Sequence, residues 1–122
     1  MFVERAITTF GHIDVLINCA GANSARSEVA NININDMQSM LNINMLSPLV
    51  FMQTVFNQSM KLNQQGTIVN VLSTVCGFSN TNIGAYTASK AGLDALTKVF
   101  RKEARAFNVK VCALYPGGVD TP

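Results

Sequence analysis

Short apolar segments separated by longer helical stretches constrain the fold of this chain more than any other feature. The apolar segments cover residues 15–17, 67–72 and 110–114. Runs of this kind are typical of parallel strands that are buried on both faces of a sheet. The stretches between them repeat apolar residues at helical spacing. The pattern therefore predicts an α/β fold, a three-stranded parallel sheet with right-handed crossover helices.

Three helices are predicted by apolar periodicity and start signals. The first covers residues 3–10 and leads into the first strand. The second covers residues 35–60, beginning at Asn35, which forms a capping-box pattern with Gln38 three positions later. The third covers residues 86–107 and precedes the last strand. Strand and helix thus alternate along the whole chain.

The composition is that of a globular protein. In 122 residues, 48% are hydrophobic and 13% are charged, which suits one domain with a modest core. The formal charge of +2 is small and its basic residues are scattered, so no nucleic-acid partner is predicted. Three cysteines give neither a disulfide framework nor metal-ligand spacing, which predicts no metal and a reducing, cytoplasmic location. No signal peptide or membrane-spanning run is recognisable, so no membrane association is predicted.

The three predicted strands end in residues suited to a binding site. Ala20 and Gly21 follow the first strand, Ser73 follows the second, and Pro116 and Gly117 follow the third. Ligands of open parallel sheets bind beyond the carboxyl ends of the strands. The sequence therefore predicts one site at this edge of the sheet.

Tyr86 and Lys90 are the candidate chemical centre of that site. They are four residues apart on a predicted helix, so their side chains lie on one face, about 6 Å apart along the axis. A nearby ammonium favours the phenolate and lowers the pKa of the phenol. Such a phenol can donate a proton to a carbonyl oxygen that receives a hydride, or accept one in the reverse direction.

Five motifs in this order resemble the short-chain dehydrogenase/reductase family, in its short subclass. They are Asn18-Cys-Ala-Gly21, Leu41-Asn-Ile-Asn44, the segment from Thr67 to Ser73, Tyr86-Thr-Ala-Ser-Lys90 and Tyr115-Pro-Gly-Gly-Val-Asp-Thr121. The resemblance implies an NAD(P)-dependent oxidoreductase that transfers a hydride between the cofactor and a small alcohol or ketone. It covers the second half of the family's domain. The chain is therefore expected to be a single partial Rossmann-like, doubly wound domain over residues 1–122, from the family's strand four to just past strand six.

The resemblance also implies a role for each motif residue. Tyr86 would act as the acid or base, Lys90 would bind the nicotinamide ribose, and Ser73 would donate a hydrogen bond to the substrate oxygen. Asn44 would complete the tetrad through a water held by its backbone carbonyl. Cofactor contacts are implied for these residues: Cys19, Ala20, Gly21, Tyr86, Lys90, Pro116, Gly117 and Val119.

A proline supports the role of Asn44 on physical grounds. Pro48 lies four residues after Asn44 and has no N–H, so the carbonyl of Asn44 lacks its usual helical donor. A carbonyl released in this way can hold a water, although a bend needed only for packing would give the same sequence.

The family's glycine-rich turn, which receives the cofactor pyrophosphate, does not occur in these residues. Three hypotheses of function follow. The first is the oxidoreductase, with NAD or NADP as cofactor and pairing into a homodimer or homotetramer through helices 35–60 and 86–107. The second is a truncated, non-catalytic remnant that serves only in dimerisation or interaction. The third is an extended nucleotide-sugar epimerase, which Asn44 and the Pro116-Gly117 pair fit less well.

Overall fold

A parallel three-stranded sheet is the centre of the protein. The computed structural model describes residues 1–23 and 26–118. The strands are β1 (Val15–Asn18), β2 (Gly66–Val71) and β3 (Val109–Leu114), in the order β1-β2-β3. Ile17 is paired with Val69, and Ile68 is paired with Val111. The predicted α/β class and the parallel pairing of the strands are confirmed.

The helices alternate with the strands as predicted. They are α1 (Phe2–Phe10), α2 (Ile34–Leu41), α3 (Ser47–Val55), α4 (Lys61–Asn63) and α5 (Gly84–Ala104). Between α2 and α4 the helix is continuous, because π-helical turns at Asn42–Leu46 and Phe56–Met60 join its parts. Short 3-10 turns occur at Val29–Asn31, Thr74–Cys76 and Arg105–Phe107.

The start of the long helix differs from the prediction. Asn33 is the N-cap, and its side-chain oxygen accepts hydrogen bonds from the backbone N–H groups of Asn35 and Asp36 at 2.9 and 3.3 Å. The predicted capping box of Asn35 and Gln38 is therefore wrong. Asparagine is a strong N-cap residue because its short side chain reaches the unpaired N–H groups of the first turn. Asn33 does so two positions earlier in the chain.

The apolar core lies between the sheet and the helices. Met52, Val55 and Met60 from the long helix meet Leu93 of α5 and Ile68 of β2 there, all nearly inaccessible to solvent. Three rings close one end of this core. Phe56 packs edge to face against Phe100 at 5.0 Å and against Phe107 at 5.6 Å between centroids. This geometry is the one that aromatic pairs prefer.

The opposite face of the sheet is largely exposed. Val15, Ile17 and Leu114 are 54%, 61% and 54% exposed. The prediction that the first strand is buried on both faces is therefore wrong, and Cys19 and Cys112 are exposed as well. Alternate residues of a strand point to opposite faces, and in the described part of the chain helices cover only the face of Ile68 and Val111.

Residues 1–23 and 26–118 contain neither a membrane-spanning helix nor a cluster of metal-ligating side chains. None of the helices there has the length and apolar character needed to cross a membrane. Within the same residues, no group of three or more histidine, cysteine, aspartate or glutamate side chains is placed to hold a metal ion.

Candidate active site

Lys90 is buried at the carboxyl ends of two strands. Its side chain reaches from α5 to the backbone carbonyl of Val71 at the end of β2, to which Nζ donates a hydrogen bond of 3.1 Å. Only 4% of the residue is exposed, and this burial lowers the pKa of the ammonium. A Cβ built at Gly21 would lie 3.1 Å from Nζ, so the backbone beyond β1 also runs against the ammonium.

Tyr86 and Ser73 both precede this lysine in the chain, and both are half-buried. Tyr86 is one turn before Lys90 on α5. Ser73 lies two residues beyond the end of β2, and its Oγ accepts a hydrogen bond of 3.3 Å from the N–H of Val75. The Thr74–Cys76 turn that begins there packs against α5. Because it accepts in this contact, the Ser73 hydroxyl keeps its own hydrogen for donation.

Asn44 connects the first strand end to the helices. It lies in the π-helical turn Asn42–Leu46 and is completely buried. Its Oδ1 accepts from the N–H of Ala22 at 2.8 Å, and its Nδ2 donates to the carbonyl of Ala22 at 2.7 Å. The helix is thus distorted just before Pro48, and π-helical turns of this kind are frequent at functional sites. The water-holding role of the Asn44 carbonyl stays a prediction.

Ser89 is a member of this cluster that the sequence reasoning missed. Its Oγ accepts a hydrogen bond of 3.0 Å from Asn44 Nδ2 and donates one of 2.7 Å to the carbonyl of Tyr86. Ser89 is completely buried. It therefore links the π-helical turn to the turn of α5 that carries Tyr86. The only sequence feature that could have indicated this role is the position of Ser89 between Tyr86 and Lys90.

The exit of β3 runs beside the turn that begins at Ser73. The N–H of Leu72 donates to the carbonyl of Leu114 at 2.8 Å, and the N–H of Thr74 donates to the carbonyl of Pro116 at 3.2 Å. Pro116 and Gly117 are thereby held next to the end of β2. Val119, the remaining predicted cofactor contact on this segment, lies outside the described residues.

Cys19 and Ala20 are exposed and line an open groove of about 280 Å³ at the end of β1. Pro48 and Phe51 of α3 form part of the opposite wall. The groove is mostly apolar, and Gly21 follows its last lining residue of this segment, Ala20, directly in the chain.

A buried polar network holds the scaffold beneath the site. Asn18 Nδ2 donates to Asn70 Oδ1 at 2.9 Å, and Asn70 Nδ2 donates to Thr97 Oγ1 at 2.8 Å. Asn70 and Thr97 are completely inaccessible to solvent. The chain of bonds runs from β1 through β2 to α5, and satisfied networks of this kind rigidify a core. An asparagine inside the apolar second strand was the sequence signal for it.

The structure thus brings the predicted residues of three strand ends to one edge of the sheet. The contacts of Lys90 and Asn44 join the ends of β1 and β2, and the Pro116 contact joins the end of β3. A phenol, a buried ammonium and a serine hydroxyl on this edge form a set that can move a proton and stabilise a developing negative charge.

Comparison with known proteins gives one consistent result. The sequence model described as short chain dehydrogenase matches residues 1–122. An uncharacterised oxidoreductase of Staphylococcus epidermidis is 36% identical over 121 residues, which cover 98% of this chain and 51% of that protein. The 3-oxoacyl-[acyl-carrier-protein] reductase FabG of Thermotoga maritima is 34% identical over 120 residues, which cover 98% of this chain and 48% of the reductase.

A solved structure has the same arrangement of elements. NAD⁺-bound xylitol dehydrogenase is 30% identical and superimposes with a TM-score of 0.91 over 98% of this chain and 46% of that one. The chain therefore spans about half the length of the relatives that it matches.

Proposed function

The chain belongs to the short-chain dehydrogenase family, and from this premise we propose that it carries the catalytic half of an NAD(P)-dependent oxidoreductase that interconverts an alcohol and a ketone. Residues 1–122 would form the part of the nucleotide-binding domain that holds the reacting groups. One observation carries the proposal, the burial of the Lys90 ammonium between the ends of β1 and β2, one helical turn from Tyr86.

Lys90 fits a bound nicotinamide ribose. An ammonium has three N–H donors, and among the described residues one is used, by the carbonyl of Val71. Two remain for ribose hydroxyl oxygens. A Cβ at Gly21 would lie 3.1 Å from Nζ, a tight contact that a side chain there could relieve only by displacing the ammonium.

The cofactor, when bound, supplies or accepts the hydride. Tyr86 would give its proton to the carbonyl oxygen as a ketone is reduced, and take it back as an alcohol is oxidised. Ser73 would donate a hydrogen bond to the same oxygen and stabilise its developing charge. Asn44 would hold a water on its carbonyl for proton exchange with solvent, and its side chain would keep Ala22 in place.

The substrate class follows from the chemistry of the set. A hydroxyl and a phenol can both hydrogen-bond one carbonyl oxygen, so a small ketone or its secondary alcohol is the expected substrate. The names of two relatives, 3-oxoacyl-[acyl-carrier-protein] reductase and xylitol dehydrogenase, support the interconversion of a carbonyl and an alcohol.

Replacing Lys90 with alanine tests the proposal. In an active protein that contains this chain, we expect Lys90→Ala to weaken NAD(P)H binding, because two ribose hydrogen bonds are lost. Fluorescence titration with the reduced cofactor measures the affinity. Lys102→Ala is the matched control on an exposed position of α5. An unchanged affinity would contradict the proposal.

The second candidate function is a non-catalytic remnant that serves as an interaction module. Its contact surface would be the exposed apolar side chains of Val15, Ile17 and Leu114. Cofactor binding separates the two candidates, because a remnant has no need to retain it.

The groove between α3 and α5 is the expected subunit interface. It has a volume of about 380 Å³ and is lined mostly by apolar side chains, among them Leu49, Leu96 and Phe100. Val99, on its rim, is 55% exposed. Burying such a surface between two copies would stabilise a homodimer or homotetramer by removing apolar area from water.

Sedimentation checks this interface. We expect an active protein that contains the chain to be at least dimeric at micromolar concentration, and Val99→Glu to shift it toward the monomer by placing a charge in the apolar contact. Phe10→Glu, at an exposed position of α1, is the control and should leave the mass unchanged. A strictly monomeric parent protein would count against the assignment.

A further inference from the structure

Helix α5 contacts the strand ends at two positions four residues apart, in addition to the bonds that Thr97 and Arg101 form with β2 and β3 further along the helix. Tyr86, Lys90 and Asp94 recur at one-turn spacing along it. Lys90 reaches the end of β2 through the carbonyl of Val71, and Asp94 reaches the end of β3, where its Oδ1 accepts a hydrogen bond of 2.5 Å from the hydroxyl of Tyr115. The second contact has no part in the proton and hydride transfer described above.

The second contact is a strong hydrogen bond. Asp94 is 8% exposed, and its other oxygen is 3.0 Å from Nζ of Lys98. Burial works to raise the pKa of Asp94, but the hydrogen bonds of Tyr115 and Lys98 outweigh it and the pKa is lowered. The bond to Asp94 raises the pKa of Tyr115 to about 12. At neutral pH a phenol therefore donates to a carboxylate, the charge-assisted kind of hydrogen bond.

This bond is coupled to the rest of the site through the backbone that follows Tyr115. The next residue, Pro116, accepts the hydrogen bond of 3.2 Å from the N–H of Thr74, and Thr74 follows Ser73 directly. Asp94 of α5 is thus connected through Tyr115 and Pro116 to the turn that follows Ser73. That turn itself packs against α5. A shift of Tyr115 would move Pro116 and Gly117 relative to Lys90.

We propose that Asp94 and Tyr115 are positioning residues that hold the backbone of Pro116 and Gly117 at a set distance from α5 and its Tyr86–Lys90 pair. The inference rests on the proposed function, because Pro116 and Gly117 are the segment expected to meet the nicotinamide. Tyr115 is 44% exposed while its hydroxyl is bonded to Asp94, so this hydrogen bond lies at the surface rather than in the core.

The first test needs only the 122-residue chain. It has two tyrosines and no tryptophan, so a Tyr86→Phe background reports the phenolate absorbance of Tyr115 alone. We expect a midpoint near 12, which should fall toward the ordinary value of 10.0 when Asp94→Asn is added. We also expect Tyr115→Phe to speed hydrogen exchange at the Thr74 amide, because this amide donates to the carbonyl of Pro116, the residue after Tyr115. The expected increase is about tenfold or more, which corresponds to the loss of one hydrogen bond to a charged group. A Tyr115 midpoint near 10 in both proteins, or an unchanged exchange rate at the Thr74 amide, would show that the hydrogen bond between Tyr115 and Asp94 does not hold this segment.

The second test measures the effect on the cofactor in an active protein that contains the chain. We expect Tyr115→Phe to raise the KM for NAD(P) by about tenfold, with kcat within about twofold of the parent. Lys98→Met removes the other partner of Asp94 and should change neither value. An unchanged KM, or a loss confined to kcat, would overturn the positioning role. A parent protein that does not transfer a hydride would refute the proposed function. The absorbance and exchange measurements would still show whether the hydrogen bond between Tyr115 and Asp94 holds the Pro116 segment.

Discussion

Tyr86→Phe is expected to remove nearly all turnover from an active protein that contains this chain. General acid–base catalysis typically contributes about 10²–10⁴-fold, and kcat should fall by that factor. The substitution deletes one hydroxyl and keeps the ring of a half-buried residue, so the fold and the affinity for NAD(P)H should be retained. The neighbouring contacts of Lys90 and Ser89 do not involve this hydroxyl.

The chain offers a matched control for this measurement. Its only other tyrosine, Tyr115, loses the same atom in Tyr115→Phe but donates to Asp94. We expect the first variant to lose kcat and the second to raise the KM for the cofactor. Steady-state kinetics in both reaction directions, with circular dichroism to verify folding, would separate the two. A Tyr86→Phe protein with activity within a factor of about two of the parent would refute the assignment of Tyr86.

The 122-residue chain by itself is expected neither to bind NAD(P)H tightly nor to transfer a hydride. Its residues contain no glycine-rich turn before a helix to receive the pyrophosphate. Ala20, Tyr86 and Lys90 would reach only the nicotinamide and its ribose. Without the remaining contacts the hydride donor and the carbonyl are not held in a reactive geometry, and such positioning can supply roughly 7–11 kcal/mol.

Calorimetric titration of the purified chain with NADH and NADPH measures this directly. The positive control is a polypeptide in which a glycine-rich strand–turn–helix segment precedes the same residues. Titration of the Lys90→Ala variant of the 122-residue chain is the negative control. Any weak binding heat that this variant loses arises from the contact between Lys90 and the ribose. A low-micromolar dissociation constant for the 122-residue chain would show that the nicotinamide half of the site is sufficient, contrary to our expectation.

The alternating pattern along the chain was enough to predict which segments are helices and strands, and that the strands pair in parallel, but not where the long helix begins. Periodicity is local, so it reports which segment is helix and which is strand, and short apolar strands linked by helices are compatible mainly with a parallel sheet. The same locality accounts for the prediction that Tyr86 and Lys90 share a helix face, because one turn of helix relates them.

Only the tertiary structure decided how these elements meet. A β-branched strand sequence does not state whether both faces are covered, so the exposure of Val15 and Ile17 could not be anticipated. The roles of the Asn44 side chain and of Ser89 depend on a bond between residues 45 positions apart, and the Tyr115–Asp94 tie joins residues 21 positions apart. Such bonds exist only once α5 has packed across the strand ends. Their geometry is a property of packing, which a one-dimensional pattern does not contain.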